Sequence, residues 1–262
     1  MGNNPMFLAV DIGNTNITLG LFDGNELKNR VNILSSDNEN HEKLFAEFFY
    51  GEKISACAIS SVVDELCEKT ENIIKKYLNI TPLIINSKLN LGMKIKAEIP
   101  EKIGSDRIVN AYIAGKMYSK PAIVVDFGTA TTFDIVDSNG DFIGGIIMPG
   151  VETQLKSLKK NTSKLPDLDY NEFDKKSETI NTETSKAILS GVIRGHAHAI
   201  EGLIEDCAKE LKTKPLVIGT GGLVRLISNC IKNPRFDVIN PDLTLYGLQM
   251  IFIDQVHNDI RC

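Results

Sequence analysis

Phe7-Leu8-Ala9-Val10-Asp11-Ile12-Gly13-Asn14-Thr15-Asn16-Ile17-Thr18 is the stretch that decides the fold. An apolar run closes on an aspartate, a glycine turn follows, and a second strand-like run extends from Ile17 to Phe22 before the Asp23-Gly24 turn. The design returns as Ala122-Ile123-Val124-Val125-Asp126-Phe127-Gly128-Thr129-Ala130-Thr131-Thr132, followed by Phe133 to Val136 and the turn Ser138-Asn139-Gly140. Each copy reads strand, tight glycine turn, strand, with a carboxylate where the first strand ends. Backbone N–H groups and small hydroxyls beyond such a carboxylate suit a polyphosphate and its metal, because the donors cradle phosphate oxygens while the aspartate faces a cation. A plain hairpin would use Asp, Asn and Gly for turn geometry alone. It has no need of Asn14, Thr15, Asn16 and Thr18 together. Two copies, each opening its own half of the chain, point to a duplicated fold with nucleotide in the cleft between.

The rest of the chain is consistent with that frame. At 262 residues it holds one large or two moderate domains, and 42% hydrophobic with 24% charged residues is ordinary for a soluble globular protein. A net charge of −5 provides no field for nucleic acid or an anionic membrane. No apolar run is long enough to span a bilayer, and the N-terminus lacks the regions of a signal peptide. Cys57, Cys67, Cys207, Cys230 and Cys262 are odd in number, dispersed and without a Cys-x-x-Cys pair, which points to reduced thiols in a cytoplasmic protein and away from zinc. Periodicity predicts strands over 6–11, 16–22, 26–34, 54–59 and 83–85, and helices over 42–49, 65–78 and 107–117. A polar loop is expected over 86–102. The second half restarts at Ala122 with three strands, a helix over 151–160, a surface loop over 161–177 and a long helix over 184–211. A strand over 216–219, a helix after Gly221-Gly222 and a last helix over 244–257 complete it.

Several shorter constellations have two readings. Gly104-Ser105-Asp106-Arg107 precedes a helix, where Ser105 or Asp106 can serve as a cap. An Asp–Arg pair at a helix start can also present a base to a hydroxyl and a guanidinium to an anion, which makes Asp106 the candidate general base. Gly144-Gly145 with Pro149-Gly150, and Gly219-Thr220-Gly221-Gly222, are either tight connections or places where backbone approaches a ligand. The sequence lacks Gly-x-x-x-x-Gly-Lys-Ser/Thr, which excludes a P-loop, and lacks Gly-x-Gly-x-x-Gly after its first strand, which argues against a dinucleotide enzyme. His196 and His198 stand two apart on a helix and point to different faces, so they read as packed or solvated residues and not as a chelating pair.

Taken together, the motifs resemble the type III pantothenate kinase family, within the acetate-and-sugar-kinase, Hsp70 and actin superfold. The matching residues are Asp11 to Asn16, Gly104 to Arg107, Asp126 to Thr132 with Asp134, Gly144 to Gly150, and Thr220-Gly221-Gly222, in family order across nearly the whole chain. The resemblance implies an α/β protein with a duplicated ribonuclease-H-like (actin-like ATPase) fold. Its two domains, 1–118 and 119–262, would each hold a mixed five-stranded sheet flanked by helices. It implies ATP-dependent phosphorylation of pantothenate to 4′-phosphopantothenate, the first step of coenzyme A biosynthesis. Asp11, Ile12, Gly13, Asn14, Thr15, Asn16, Ile17, Thr18 and Thr129 would bind ATP, with Asp11 near magnesium. Gly104, Ser105, Asp106 and Arg107 would contact pantothenate, with Asp106 as the base. Asp126 would bind a monovalent cation, potassium or ammonium, and Thr184, counted back from Ser190-Gly191, would contact substrate, with Thr182 close by. A cytoplasmic homodimer is implied. The chain departs from relatives at Ala97-Glu98-Ile99-Pro100, where an aromatic residue often stands.

Two rival expectations share these features. One is another small-molecule kinase of the superfold, acting on a sugar or carboxylate. The other is a non-catalytic nucleotide-binding regulator, which would be expected to lose the base or a phosphate turn. This chain has both.

Overall fold

The computed structural model describes residues 5–231 and 236–259. The chain folds into two compact units, one running to Ile113 and resuming at Asp242, the other Ala114–Pro241.

The first unit is built on β1 (Met6–Ile12), β2 (Asn16–Asp23), β3 (Glu26–Leu34), α1 (His41–Phe49), β4 (Ile54–Ser61), α2 (Asp64–Leu78) and β5 (Leu83–Ile84). The sheet order is β3-β2-β1-β4-β5, antiparallel through the first three strands and parallel from β1 to β4 to β5. Side chains alternate along β1 as a strand requires. Leu8, Val10 and Ile12 pack with Phe45 and Phe49 of α1 and with Leu66, Ile73 and Ile74 of α2. Phe7 and Ala9 face the opposite layer, formed by Ile108, Val109 and Tyr112 of α3 (Ser105–Met117) together with Leu245, Leu248 and Ile251. Asp11 shares the parity of Phe7 and Ala9. α2 carries Asp64 and Glu65 in its first turn, Lys75 and Lys76 in its last, and ends on Asn79 at φ 54°, so charge and cap both favour the helix where its apolar stripe needs it.

The second unit repeats the topology with β6 (Ala122–Phe127), β7 (Ala130–Val136), β8 (Phe142–Pro149), α4 (Val151–Lys160), α5 (Thr184–Leu189), α6 (Gly195–Leu211), β9 (Leu216–Thr220), α7 (Val224–Ser228) and β10 (Val238–Ile239). Its order, β10-β9-β6-β7-β8, is the first sheet written backwards, strand for strand. Ile123, Val125 and Phe127 pack against Val151 and Leu155 of α4 and Ala197 and Ile200 of α6, so Asp126 falls on the other face. In both units the aspartate therefore stands one residue before the end of the central strand, on the face away from the equivalent core.

Three features differ from expectation. The helix over 184–211 is interrupted by a π-helical turn, Ser190–Arg194, which ties down the preceding loop: Ser190 Oγ donates to the Thr179 carbonyl (2.9 Å) and Arg194 Nη2 to that of Ser177 (2.6 Å). The two-residue β10 carries no periodicity for a sequence to display. The last helix, α8 (Leu243–Asp259), groups with the first unit, whereas a boundary at 118/119 leaves it with the second half. Cys57, Cys67, Cys207 and Cys230 are free thiols, and Cys262 lies outside the described residues. Among the described residues no helix is long and apolar enough to cross a membrane.

Candidate active site

In the first unit β1 and β2 meet in a turn closed by the Gly13 N–H, which donates to the Asn16 carbonyl (2.9 Å). Asn14 and Asn16 are exposed, Asp11, Thr15 and Thr18 are half-buried, and the side chains of Ile12 and Ile17 are buried in the core. The two isoleucines can offer a nucleotide only backbone. Asp11 lies opposite Thr18 on β2 and Ser60 on β4, at the carboxyl ends of the parallel strands where open α/β sheets bind ligands.

Ser60 leads to the start of α3. Its hydroxyl meets that of Ser105 (3.0 Å), which also accepts from the Ser61 N–H (2.8 Å) and donates to the Ser61 carbonyl (2.9 Å). Ser105 is buried, and its hydroxyl pins the helix to β4. The Gly104 carbonyl accepts the N–H groups of Arg107 (3.1 Å) and Ile108 (3.2 Å) and opens the helix. Asp106 follows in the first turn, half-buried, with Oδ1 accepting the Arg107 N–H at 2.8 Å. Burial raises its pKa above the ordinary carboxylate value, against the pull of the Arg107 N–H and guanidinium. A partly desolvated carboxylate oriented by one N–H is a stronger base than a solvated one, and it stands in the same unit as the first turn.

In the second unit Asp126 lies opposite Thr132 on β7 and Thr220 on β9. Gly221 follows at φ +85°, and a Cβ there would sit 2.4 Å from Asp126 Oδ1 and 2.7 Å from the Phe127 nitrogen. Only glycine leaves that space beside the carboxylate, which is consistent with a small oxygen-liganded cation. Among the described residues no three His, Cys, Asp or Glu side chains gather as a metal cage. Magnesium needs none, since it is held by one or two carboxylates together with phosphate oxygens and water, and Asp11 fits that donor set. The turn after Asp126 is braced from α4: the Thr129 carbonyl accepts the Gly150 N–H (3.0 Å) and Thr153 Oγ1 (2.6 Å). Gly150 is required here too, because its Cβ would fall 2.3 Å from the Gly128 oxygen.

The type III pantothenate kinase profile matches residues 7–206. A type III pantothenate kinase of Thermomicrobium roseum is 34% identical over 264 residues, covering 97% of this chain and 99% of that protein. The enzyme of the same name from Desulfatibacillum aliphaticivorans is 36% identical over 261 residues, covering 97% and 100%. The chain belongs to the type III pantothenate kinase family. The fold is shared more widely. MreB 5 of Spiroplasma citri, crystallised with AMPPNP, superposes with a TM-score of 0.54 at 12% identity over 99% of both chains, which places the type III kinase chain in the actin-like ATPase fold.

The family match spans both donor turns and Asp106, while Thr220-Gly221-Gly222 lies beyond it. Thr184 opens α5 and is exposed, as is Thr182 in the loop before it. Thr182, with Phe173 and Lys186, lines a cavity of 440 Å³. The two histidines separate as their spacing requires. His198 is exposed beside Glu201 (3.2 Å), and His196 is 2% exposed. His196 matters more than its sequence context signalled. Gln154 Nε2 donates to its Nδ1 (2.9 Å) and to the Pro149 carbonyl (2.9 Å). With Nδ1 accepting, the ring is neutral and its Nε2–H donates to Thr131 Oγ1 (3.0 Å), beneath the second turn. Burial lowers its pKa, in keeping with that neutral state.

Proposed function

We propose that the protein is an ATP-dependent pantothenate kinase, transferring the γ-phosphoryl group of ATP to the terminal hydroxyl of pantothenate and releasing ADP and 4′-phosphopantothenate for coenzyme A synthesis. The observation that carries this reading within the family is the half-buried Asp106 carboxylate, oriented by the Arg107 N–H at the start of α3 in the unit that also bears the Asp11 turn.

Phosphoryl transfer demands positioning and charge stabilisation more than covalent chemistry. The backbone and small side chains of residues 11–18 hold phosphate oxygens, with Ile12 and Ile17 contributing through backbone alone, and Thr129 contacts ATP. Gly104, Ser105 and Arg107 frame the pantothenate site, with Thr184 a further contact. Asp106 Oδ1 is fixed by its N–H donor, and the second carboxylate oxygen receives the substrate proton. As that O–H bond breaks, the hydroxyl oxygen bonds the γ-phosphorus and the bond to the β-phosphate oxygen opens. Asp11 would hold magnesium and Asp126 potassium or ammonium, ions that neutralise the charge of the triphosphate. The reading includes a homodimer and a cytoplasmic setting.

The test is pantothenate-dependent ADP release, measured with and without potassium and beside a panel of sugars and carboxylates. ADP release requiring pantothenate and stimulated by potassium is expected. Turnover that needs neither, or that follows a sugar, refutes the proposal.

A further inference from the structure

Backbone N–H groups attract an anion and carbonyl oxygens repel it, so a donor turn works only when its carbonyls are directed elsewhere. Ser35, just past β3, does this in the first unit. Its hydroxyl donates to the Gly13 carbonyl at 2.7 Å and its own N–H donates to the Thr15 carbonyl at 2.9 Å. Ser35 is 5% exposed, and the adjacent Leu34 carbonyl is bonded to the buried His41 ring (2.9 Å), so the clamp is itself anchored. A trans peptide is planar, with its C=O and N–H pointing in opposite directions. Fixing the carbonyls of Gly13 and Thr15 on Ser35 therefore aims the N–H groups of Asn14 and Asn16 away from it.

The second unit repeats the device with other residues. The Thr129 carbonyl takes one backbone N–H, from Gly150, and one hydroxyl, from Thr153. Ser35 follows the third strand of its unit, and Gly150 and Thr153 likewise follow β8. The same peptide geometry directs the Ala130 N–H away from the clamp.

We infer that Ser35 and Thr153 are positioning residues whose hydroxyls hold the carbonyls of the two donor turns away from the phosphate oxygens of ATP. The inference rests on the reading that these turns meet the nucleotide. It also gives a task to two side chains that touch no reacting atom.

Steady-state kinetics of full-length Ser35→Ala, Ser35→Thr, Thr153→Val and Thr153→Ser test it, with the ADP dissociation constant measured without pantothenate. Losing a hydroxyl that sets a charge-facing donor is expected to raise the KM for ATP and the Kd for ADP about tenfold. The KM for pantothenate should stay within about twofold, and Ser35→Thr and Thr153→Ser should restore nucleotide affinity. A wild-type ATP KM in both Ser35→Ala and Thr153→Val overturns the inference. So does an equal rise in both KM values that tracks a fall in Tm, since that is loss of structure. Should Ser35→Ala not fold, the Thr153 pair, on a half-buried helix start, decides the question. Thr15→Val and Asn16→Ala separate the two levels. If they too leave ATP affinity unchanged, the nucleotide reading of the turn fails; if they weaken it and the hydroxyl variants do not, only the positioning role fails.

Discussion

Asp106→Asn removes a charge while keeping the side chain's shape and its acceptor for the Arg107 N–H, now 2.8 Å away. A general base of this kind contributes about 10²–10⁴-fold, or about 2.7–5.4 kcal/mol of barrier at about 1.36 kcal/mol per tenfold. Burial raises the proton affinity of Asp106, in keeping with a role as base. The effect on folding has the opposite sign. With its pKa raised in the fold, the native chain binds the proton more tightly than the unfolded chain, so its contribution to stability falls as pH rises through the carboxyl's range. Asparagine never ionises. The variant should therefore melt at or above the Tm of the unsubstituted protein at neutral pH, a margin that shrinks toward about pH 4. Loss of a helix-dipole partner, about 0.3–1 kcal/mol, limits the gain. Coupled ADP-release assays across the pH range should show the acid limb of kcat disappearing, and thermal melts at two pH values should show the stability trend. Wild-type turnover refutes the assignment, and a Tm several degrees lower would reassign Asp106 to structure.

Gly221→Ala places a methyl against Asp126 Oδ1 and the Phe127 peptide at positive φ. Strain and overpacking together should cost about 2–6 kcal/mol in urea unfolding, and an unchanged midpoint would show that the turn yields. Asp126→Asn should flatten the potassium dependence of turnover, and an unaltered titration removes Asp126 from that role. His196 has a depressed pKa in the fold, so the unfolded chain binds more protons below about pH 6.5 and stability is lost as pH falls through that window. His196→Gln should reduce this loss in melts compared at neutral and mildly acidic pH, and an identical pH slope in both proteins would refute the neutral assignment.

The strands around Asp11 and Asp126 were legible because β-branched runs, an abrupt glycine turn and a hairpin turn all agree on one local structure. The boundaries of α2 and α4 were legible for a similar reason, since apolar spacing and terminal charges coincide. The π-helical turn at Ser190–Arg194 was not, because an extra residue in one turn leaves the apolar spacing of a helix almost unchanged, and its bonds to the Thr179 and Ser177 carbonyls appear only in the folded chain. At the site, the aspartates announced themselves, whereas the sharing of the Ser105 hydroxyl between Ser60 and the Ser61 backbone depends on residues more than forty positions away in sequence. Ser35 and Thr153 left no signal at all. A lone hydroxyl acquires meaning only from the carbonyl it meets, and that carbonyl is set by tertiary structure.

The chain leaves the first unit at Ile113 and re-enters it at Asp242, so the second unit is an insertion within the first. This topology sets when each part of the chain can complete its core during synthesis. Residues 114–241 form a continuous segment that can collapse as soon as it emerges, whereas Phe7, Ala9 and Phe22 wait for Leu245, Leu248 and Ile251 at the far end of the message. Until α8 is translated, one face of the nascent sheet that carries Asp11 lacks part of its cover. A premature stop before Leu243 would remove none of the residues assigned to chemistry, yet it would release a chain whose oldest strands present an apolar face to the chaperones.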